Sequence, residues 1–247
     1  MRVIEMNKSK LKQILGIAFL NSGVGILFAP LVQLLMRTAY TIQFANWYNR
    51  NSLRKHMLPT KERFGYGNRY LLYENIVETY GLEEEIISYL EFGVASGGSL
   101  KWWVGKNKNP KSHFVGFDTF SGLPEDWGDI PKGTFSTGGV APDIKDERLS
   151  YEVGLFQESL PNFLKILSPS GTRTVIHIDC DLYSAALFVL ITLSPILKKG
   201  DILIFDEFAD VMNEYRAYLD FIATCNINLK LIKAVNGGHK VAFMVGE

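Results

Sequence analysis

Tyr89-Leu90-Glu91-Phe92-Gly93-Val94-Ala95-Ser96-Gly97-Gly98-Ser99-Leu100 sets the architecture of this 247-residue chain. Ile86 and Ile87 lead into it as the start of a buried strand, and Lys101-Trp102-Trp103-Val104 opens a helix after it. Gly93, Gly97 and Gly98 therefore occupy a strand-to-helix turn. There a missing side chain tolerates positive φ and lets backbone N–H groups approach a ligand. Glu91, at the strand end, can accept from a hydroxyl or an ammonium group. A glycine turn of this kind is also common in plain α/β packing, so its neighbours decide. The expectation is a nucleoside-like ligand over the carboxyl ends of a parallel sheet.

The next apolar strand, His113 to Phe117, ends in Asp118. A carboxylate there is where Rossmann-like folds grip a ribose diol. The glycines do not follow the G-x-G-x-x-G spacing of dinucleotide enzymes. That favours S-adenosylmethionine, which has no phosphate to cradle, over a nicotinamide dinucleotide. An NAD(P)-dependent oxidoreductase is the alternative enzyme reading, and it lacks a convincing Tyr/Lys catalytic pair.

Twenty-six Lys and Arg balance 26 Asp and Glu, so net charge gives no case for a nucleic-acid partner. Two cysteines, Cys180 and Cys225, form neither a disulfide framework nor a zinc spacing, and fit a reducing cytosol. Residues 1–60 read as an apolar helical appendage and residues 61–247 as the catalytic domain. Gln13 to Met36 carries no charge but is interrupted by Asn21-Ser22-Gly23 and Pro30, with basic residues beyond both ends. Residues 13–48 carry two expectations. One is contact with the inner face of a membrane, with Tyr40, Phe44, Trp47 and Tyr48 at headgroup depth. The other is an arm within a homo-oligomer. Asn51 to Arg69 reads as a polar join.

Helical spacing predicts a helix from Tyr70 to Tyr80. Thr119 to Arg148 is rich in Gly and Pro and too long for a compact connection, so it is expected to be a lid or a functional loop. A strand near Tyr151 to Val153 precedes a helix from Leu160 to Leu167, opened by Pro161. Thr174 to Ile178 and Asp201 to Phe205 are strands, separated by a helix from Ser184 to Leu197 closed by Lys198-Lys199-Gly200. A helix bearing Tyr215, Tyr218 and Phe221 comes next. Leu229 to Val235 and Val241 to Val245 form a terminal hairpin through Asn236-Gly237-Gly238-His239. The pattern predicts an α/β, Rossmann-like sheet, mostly parallel, with one antiparallel strand added late.

Asp179 and Asp181 end one strand, Asp206 and Glu207 the next, and a parallel sheet delivers both ends to one edge. Single Asp residues there are often helix N-caps. Two doublets at matched ends point instead to a site, because such carboxylates repel unless a cation joins them or one is protonated. Oxygen-only ligands suit magnesium. Such an ion can acidify a hydroxyl while a neighbouring carboxylate accepts its proton. His177 lies inside its strand and reads as a buried, satisfied histidine.

Glu91 to Ser99, Gly116-Phe117-Asp118-Thr119-Phe120-Ser121-Gly122-Leu123-Pro124, Gly154 with Leu160-Pro161, His177 to Tyr183, and Asp206-Glu207-Phe208 occur in an order that resembles the macrocin O-methyltransferase family. These are class I S-adenosylmethionine-dependent enzymes that methylate sugar hydroxyls. The resemblance spans about Tyr70 to Val245. It implies that Glu91 and the Gly93–Ser99 turn, with Ala95, Ser96 and Gly97, hold the methionine part of the cofactor. It implies that Asp118, Thr119 and Phe120 hold the ribose side, with Asp179 also in contact. Asp179, Asp206 and Glu207 would bind magnesium and Asp181 would be the general base. The family usually has Asp where Glu207 stands, and the N-terminal apolar stretch lies outside its pattern. The implied protein is a cytoplasmic O-methyltransferase acting on a glycan or small-molecule acceptor; a membrane-bound scaffold that has lost activity is the alternative of another class.

Overall fold

The computed structural model describes residues 8–21, 23–166 and 171–246. Contacts divide the chain into two compact units, Met1–Gln43 and Phe44–Glu247. The first holds α1 (Lys8–Asn21), α2 (Val24–Leu27) and most of α3 (Ala29–Arg50). Gly23, at φ 67°, breaks the helical run before α2. Among the described residues no helix is long and apolar enough to cross a membrane.

The second unit begins with the end of α3 and with α4 (Leu53–His56). It continues through α5 (Asn68–Tyr80), β1 (Ile87–Phe92), α6 (Gly98–Lys106), β2 (His113–Asp118) and β3 (Leu149–Val153). Then come α7 (Phe156–Ile166), β4 (Arg173–Ile178), α8 (Tyr183–Leu193), β5 (Ile202–Phe205), α9 (Glu214–Cys225), β6 (Leu229–Val235) and β7 (Lys240–Val245). One seven-stranded sheet runs in the order β3-β2-β1-β4-β5-β7-β6. β1 to β5 are mutually parallel, and β7 inserts antiparallel between β5 and β6. This is the expected mostly parallel sheet with a terminal antiparallel hairpin.

Both faces of the sheet are covered, which explains why its strands read as nearly unbroken apolar runs. Leu90, Phe92, Val115, Phe117, Ile176 and Ile178 pack with α7, α8 and α9 on one face. Tyr89, Phe114, Val175 and Ile202 alternate onto the other, against α5 and α6. From β1 the chain winds outward to β3, then returns to β4 on the other side of β1. The β1/β4 crevice is thus the topological switch point, where ligands of such sheets bind.

Several local expectations change. The helix expected from Pro161 begins at Phe156 and contains that proline. α8 stops at Leu193 and a 3₁₀ turn, Ser194–Ile196, comes after it, because Pro195 has no N–H to continue an α-helix. The polar join is docked on the domain: Leu53 is fully buried and Leu58 N–H donates to Ala234 C=O at 2.9 Å. Phe44, Trp47 and Tyr48, expected at headgroup depth, pack instead on the catalytic unit's core. Trp47 lies against Phe208, Tyr215, Tyr218 and Phe243. The indole N–H of Trp47 finds its partner there, donating to Tyr218 OH at 3.2 Å.

Candidate active site

The strand-to-helix turn is shaped by backbone crowding as much as by any ligand. Gly93 has φ 95°, and a Cβ there would stand 1.8 Å from the carbonyl oxygen of Asp179. Gly93 N–H donates to Phe117 C=O and Asp179 N–H to Phe92 C=O, which locks β1 between its neighbours. Gly97 caps α6 at φ 79°. Asp118 organises both adjoining loops. Its Oδ2 accepts from Val94 and Ala95 N–H, each at 2.8 Å, and its Oδ1 from Phe120 N–H at 2.7 Å. The Phe120 C=O then gathers Thr137 and Gly139 N–H, folding the long loop back on itself.

A cleft of about 460 Å³ opens beside this turn, within the usual range of small-molecule sites. Glu91, Gly93, Ala95, Ser96, Ser99, Asp118 and Thr119 line one side; Asp179, Asp181, Asp206 and Glu207 line another. The two acidic doublets, distant in sequence, therefore meet at one edge. The long loop contributes Leu123, Trp127 and Phe135. Two expected contacts do not reach the cleft. Gly97 faces Pro142 and Ile144, and Phe120 is fully buried against Tyr151.

Asp181 sits at φ 61° in a tight turn closed by Leu182 N–H to Cys180 C=O at 2.6 Å. A non-glycine residue held there is strained, and such strain gathers at functional sites. Burial, then the charges of Glu207, Asp206 and Asp210, push its carboxyl up to about 7. Asp179 and Asp206 diverge. Burial and the neighbouring Asp206 push Asp179 well above the ordinary carboxylate range. Burial would raise Asp206 as well, but His177, Lys240 and Arg69 outweigh it and hold Asp206 far below.

Sequence reading missed the residues that hold this rim. Arg69, 5 % exposed, donates to Asp206 Oδ2 at 2.6 Å and to Asp179 Oδ2 at 3.2 Å. Lys240, 4 % exposed, donates to the same Asp206 oxygen at 2.6 Å and lies 3.8 Å from Glu207 Oε1. Glu214 Oε2 accepts from Glu207 N–H at 2.9 Å. A buried polar chain links these to the turn. Tyr89 OH donates to Glu91 Oε2 at 2.6 Å, and its oxygen lies 3.1 Å from His177 Nδ1. Tyr73 OH lies 3.2 Å from His177 Nε2 and 3.1 Å from Ser99 Oγ. Arg69 and Lys240 each stand inside an unremarkable basic or apolar stretch, so periodicity carries no signal for them. Their burial is decided only by tertiary packing.

A family model of the macrocin-O-methyltransferase (TylF) matches residues 73–238. The chain belongs to that family. It is an S-adenosylmethionine-dependent methyltransferase, and the oxidoreductase reading is set aside. No curated protein matches it. Among solved structures it is similar to the calicheamicin methyltransferase CalS11, with 22 % identity and TM-score 0.57 over 72 % of this chain and 79 % of that one. A second, apo structure of CalS11, described as a TDP-rhamnose 3'-O-methyltransferase, gives 23 % and 0.52 over 72 % and 80 %. The O-methyltransferase NovP gives 18 % and 0.50 over 69 % and 75 %. At these identities the likeness shows the fold: a Rossmann-like class I methyltransferase.

In this TylF-family chain His177, Asp179 and Asp206 bring one potential ligand atom each within 4.8 Å of one another. The carboxylates fit a hard cation and the histidine does not. Burial would lower His177, but the carboxylates of Asp206 and Glu91 push it up to about 9, so the ring is protonated at neutral pH. Both of its nitrogens already face tyrosine oxygens. Asp206 Oδ1, by contrast, is buried with no hydrogen-bond partner among the described residues. Glu91, Asp179, Asp181, Asp206, Glu207 and Glu214 crowd one edge around Arg69, Lys240 and His177⁺, and burial together with mutual repulsion pushes the carboxyls of Asp179, Asp181 and Glu214 up. A divalent ion among them would offset that repulsion and favour their ionised forms.

Proposed function

We propose that this protein methylates a hydroxyl of a sugar, on a glycan or glycosylated metabolite, with Asp181 as general base. Asp179, Asp206 and Glu207 would hold a magnesium ion. The observation that carries the reading is the meeting of two doublets distant in sequence, Asp179/Asp181 and Asp206/Glu207, on the cleft beside Gly93, where burial and the neighbouring carboxylates push Asp181 up to about 7. A base tuned close to the working pH both exists in its ionised form and takes a proton readily.

Bound S-adenosylmethionine supplies a methyl group on a positively charged sulfur. Glu91 and the Gly93–Ser99 turn bind its methionine end. An ionised carboxylate offers roughly four acceptor sites, and Asp118 uses three on the turns, so one is left for a ribose hydroxyl. A bound magnesium would lower the pKa of the acceptor hydroxyl. Asp181 would receive that hydroxyl's proton as the oxygen takes the methyl group and the methyl–sulfur bond breaks, leaving the sulfur as a neutral thioether. Much of the rate gain then comes from positioning, because the displacement demands collinear atoms. Trp127 and Phe135, in the same cleft, supply flat apolar surface for a sugar ring and keep water from the methyl group.

Family membership supports the reaction, and a relative described as a TDP-rhamnose methyltransferase supports the sugar. The test is incubation with labelled S-adenosylmethionine, magnesium and a panel of nucleotide sugars and glycosides, with products identified by mass spectrometry. Label on a sugar hydroxyl is expected. Label found only on non-sugar acceptors would overturn the acceptor class and leave the methyltransferase intact.

A further inference from the structure

The N-terminal unit displays apolar side chains that nothing in the catalytic reading uses. Ile17, Ile26, Leu31, Leu34, Leu35 and Ile42 are each between 46 % and 80 % exposed. On α3 the exposed positions Leu31, Val32, Leu34, Leu35 and Ile42 spread around about half of the circumference at 3.6 residues per turn. A stripe that wide suits a helix lying in a lipid interface as well as one packed on protein, so charge has to decide between them. Thr38 and Thr41 also turn their hydroxyls inward, each donating to a carbonyl one turn back (Leu34, Arg37) at 2.8 Å. These two hydroxyls are thus satisfied within the helix, as polar groups in contact with lipid must be.

Charge selects the partner. Residues 6–61 contain eight Lys or Arg (Lys8, Lys10, Lys12, Arg37, Arg50, Arg54, Lys55, Lys61) and no Asp or Glu, although the whole chain is neutral. Two copies of such a segment repel each other, whereas an anionic lipid surface attracts each one. Length argues for lying on that surface. None of the described helices is long and apolar enough to cross a bilayer. α1, at 14 residues, spans about 21 Å of a core about 30 Å thick, and Gly23 ends the helical run just beyond it.

We propose that residues 8–42 form an interfacial anchor that lies on an anionic bilayer, as on the cytoplasmic face of a membrane. Apolar side chains enter the acyl boundary and the flanking lysines and arginines contact the headgroups. The anchor is independent of which acceptor is methylated.

The full chain is mixed with vesicles of phosphatidylcholine alone, or with about one third phosphatidylglycerol, and floated on a density gradient. Binding to the anionic vesicles is expected, weakened by high salt. The variant Lys8→Gln/Lys10→Gln/Lys12→Gln should lower the partition coefficient about 100-fold. Leu34→Glu/Leu35→Glu should remove binding while S-adenosylmethionine affinity, read by calorimetry, stays unchanged. No flotation with either vesicle, equal flotation with both, or retention by the Leu34/Leu35 variant overturns the proposal. So does a dimer, seen by analytical ultracentrifugation, that this variant dissociates without any lipid binding.

Discussion

The Cα of Gly93 is pressed so closely against the backbone of Asp179 that any Cβ would stand 1.8 Å from the Asp179 carbonyl oxygen. Two strand ends, one carrying the glycine turn and one an acidic doublet, are thereby fused into a single edge. Gly93→Ala must move one of them. Positive φ alone costs an L-residue about 1–2 kcal/mol, and the backbone overlap adds to it. The variant is expected to melt several degrees lower and to lose affinity for S-adenosylmethionine. Thermal unfolding and calorimetry check both, and wild-type cofactor affinity would show that the edge is not set here.

Asp181 governs the pH dependence. Its carboxyl, pushed up to about 7, is ionised above that value and protonated below it. Methyl transfer should therefore fall about tenfold per pH unit on the acid side of 7. Asn tolerates the left-handed turn that Asp181 adopts at φ 61°, so Asp181→Asn should fold normally. Its kcat should drop about 10²–10⁴-fold with cofactor binding retained. A bound divalent ion favours the carboxylate, so excess magnesium should shift the acid limb to lower pH. An unshifted profile in the variant would exclude Asp181 as the base.

Asp206 carries two buried cations on one oxygen, Arg69 and Lys240, each at 2.6 Å. Removing one partner of a buried pair costs about 3–5 kcal/mol, because the other charge is left desolvated. Asp206→Asn removes the carboxylate that both cations share, leaving Arg69 to Asp179 and Lys240 to Glu207 at 3.8 Å. It should destabilise more than Lys240→Met, which leaves the Arg69–Asp206 pair in place. In a domain of this size each kcal/mol lowers Tm by roughly 2–4 °C. A double-mutant cycle, read from denaturant unfolding, should give strong coupling between positions 206 and 240. Additive losses would show that the contact contributes little.

Asp206 Oδ1 accepts no hydrogen bond among the described residues and faces the His177 ring nitrogen at 3.8 Å, which leads to a metal prediction. Magnesium that binds only the folded state at about 100 times its Kd adds about 2.7 kcal/mol of stability. Differential scanning fluorimetry should show Tm rising with magnesium and falling with a chelator. Asp206→Asn should abolish the response. A wild-type Tm indifferent to magnesium would remove the ion from the site.

Periodicity decides which parts of the site are legible in the sequence. The strands around Gly93, Asp118, Asp179 and Asp206 are apolar runs ending in a polar residue, so both their order and their shared edge could be read. Asp181 and Glu207 came with them because each lies within three residues of a strand end. Arg69 and Lys240 were illegible, since a lone cation in a helix or strand looks the same whether solvated or buried. The role of Asp118 was legible only in part. Its position was foreseen, but its three bonds to backbone N–H groups depend on loops whose conformations no period encodes.

Aromatic residues just after the apolar stretch looked like an interfacial belt, and packing assigns them elsewhere. Trp47 meets Phe44, Phe208, Tyr215, Tyr218 and Phe243, and its Nε1–H donates to Tyr218 OH at 3.2 Å. These contacts place the start of the catalytic unit at Phe44, ahead of the polar stretch that reads as a boundary. A chain begun at Phe44 should fold and bind S-adenosylmethionine like the full protein. A chain begun at residue 61 should not, since it lacks Trp47 and the fully buried Leu53. Truncating a buried Trp to Ala costs about 3–5 kcal/mol, so Trp47→Ala in the full chain should reproduce much of that loss. Circular-dichroism melting of the three proteins separates the outcomes: equal stability for the chains begun at 44 and at 61 would return the aromatic cluster to the appendage.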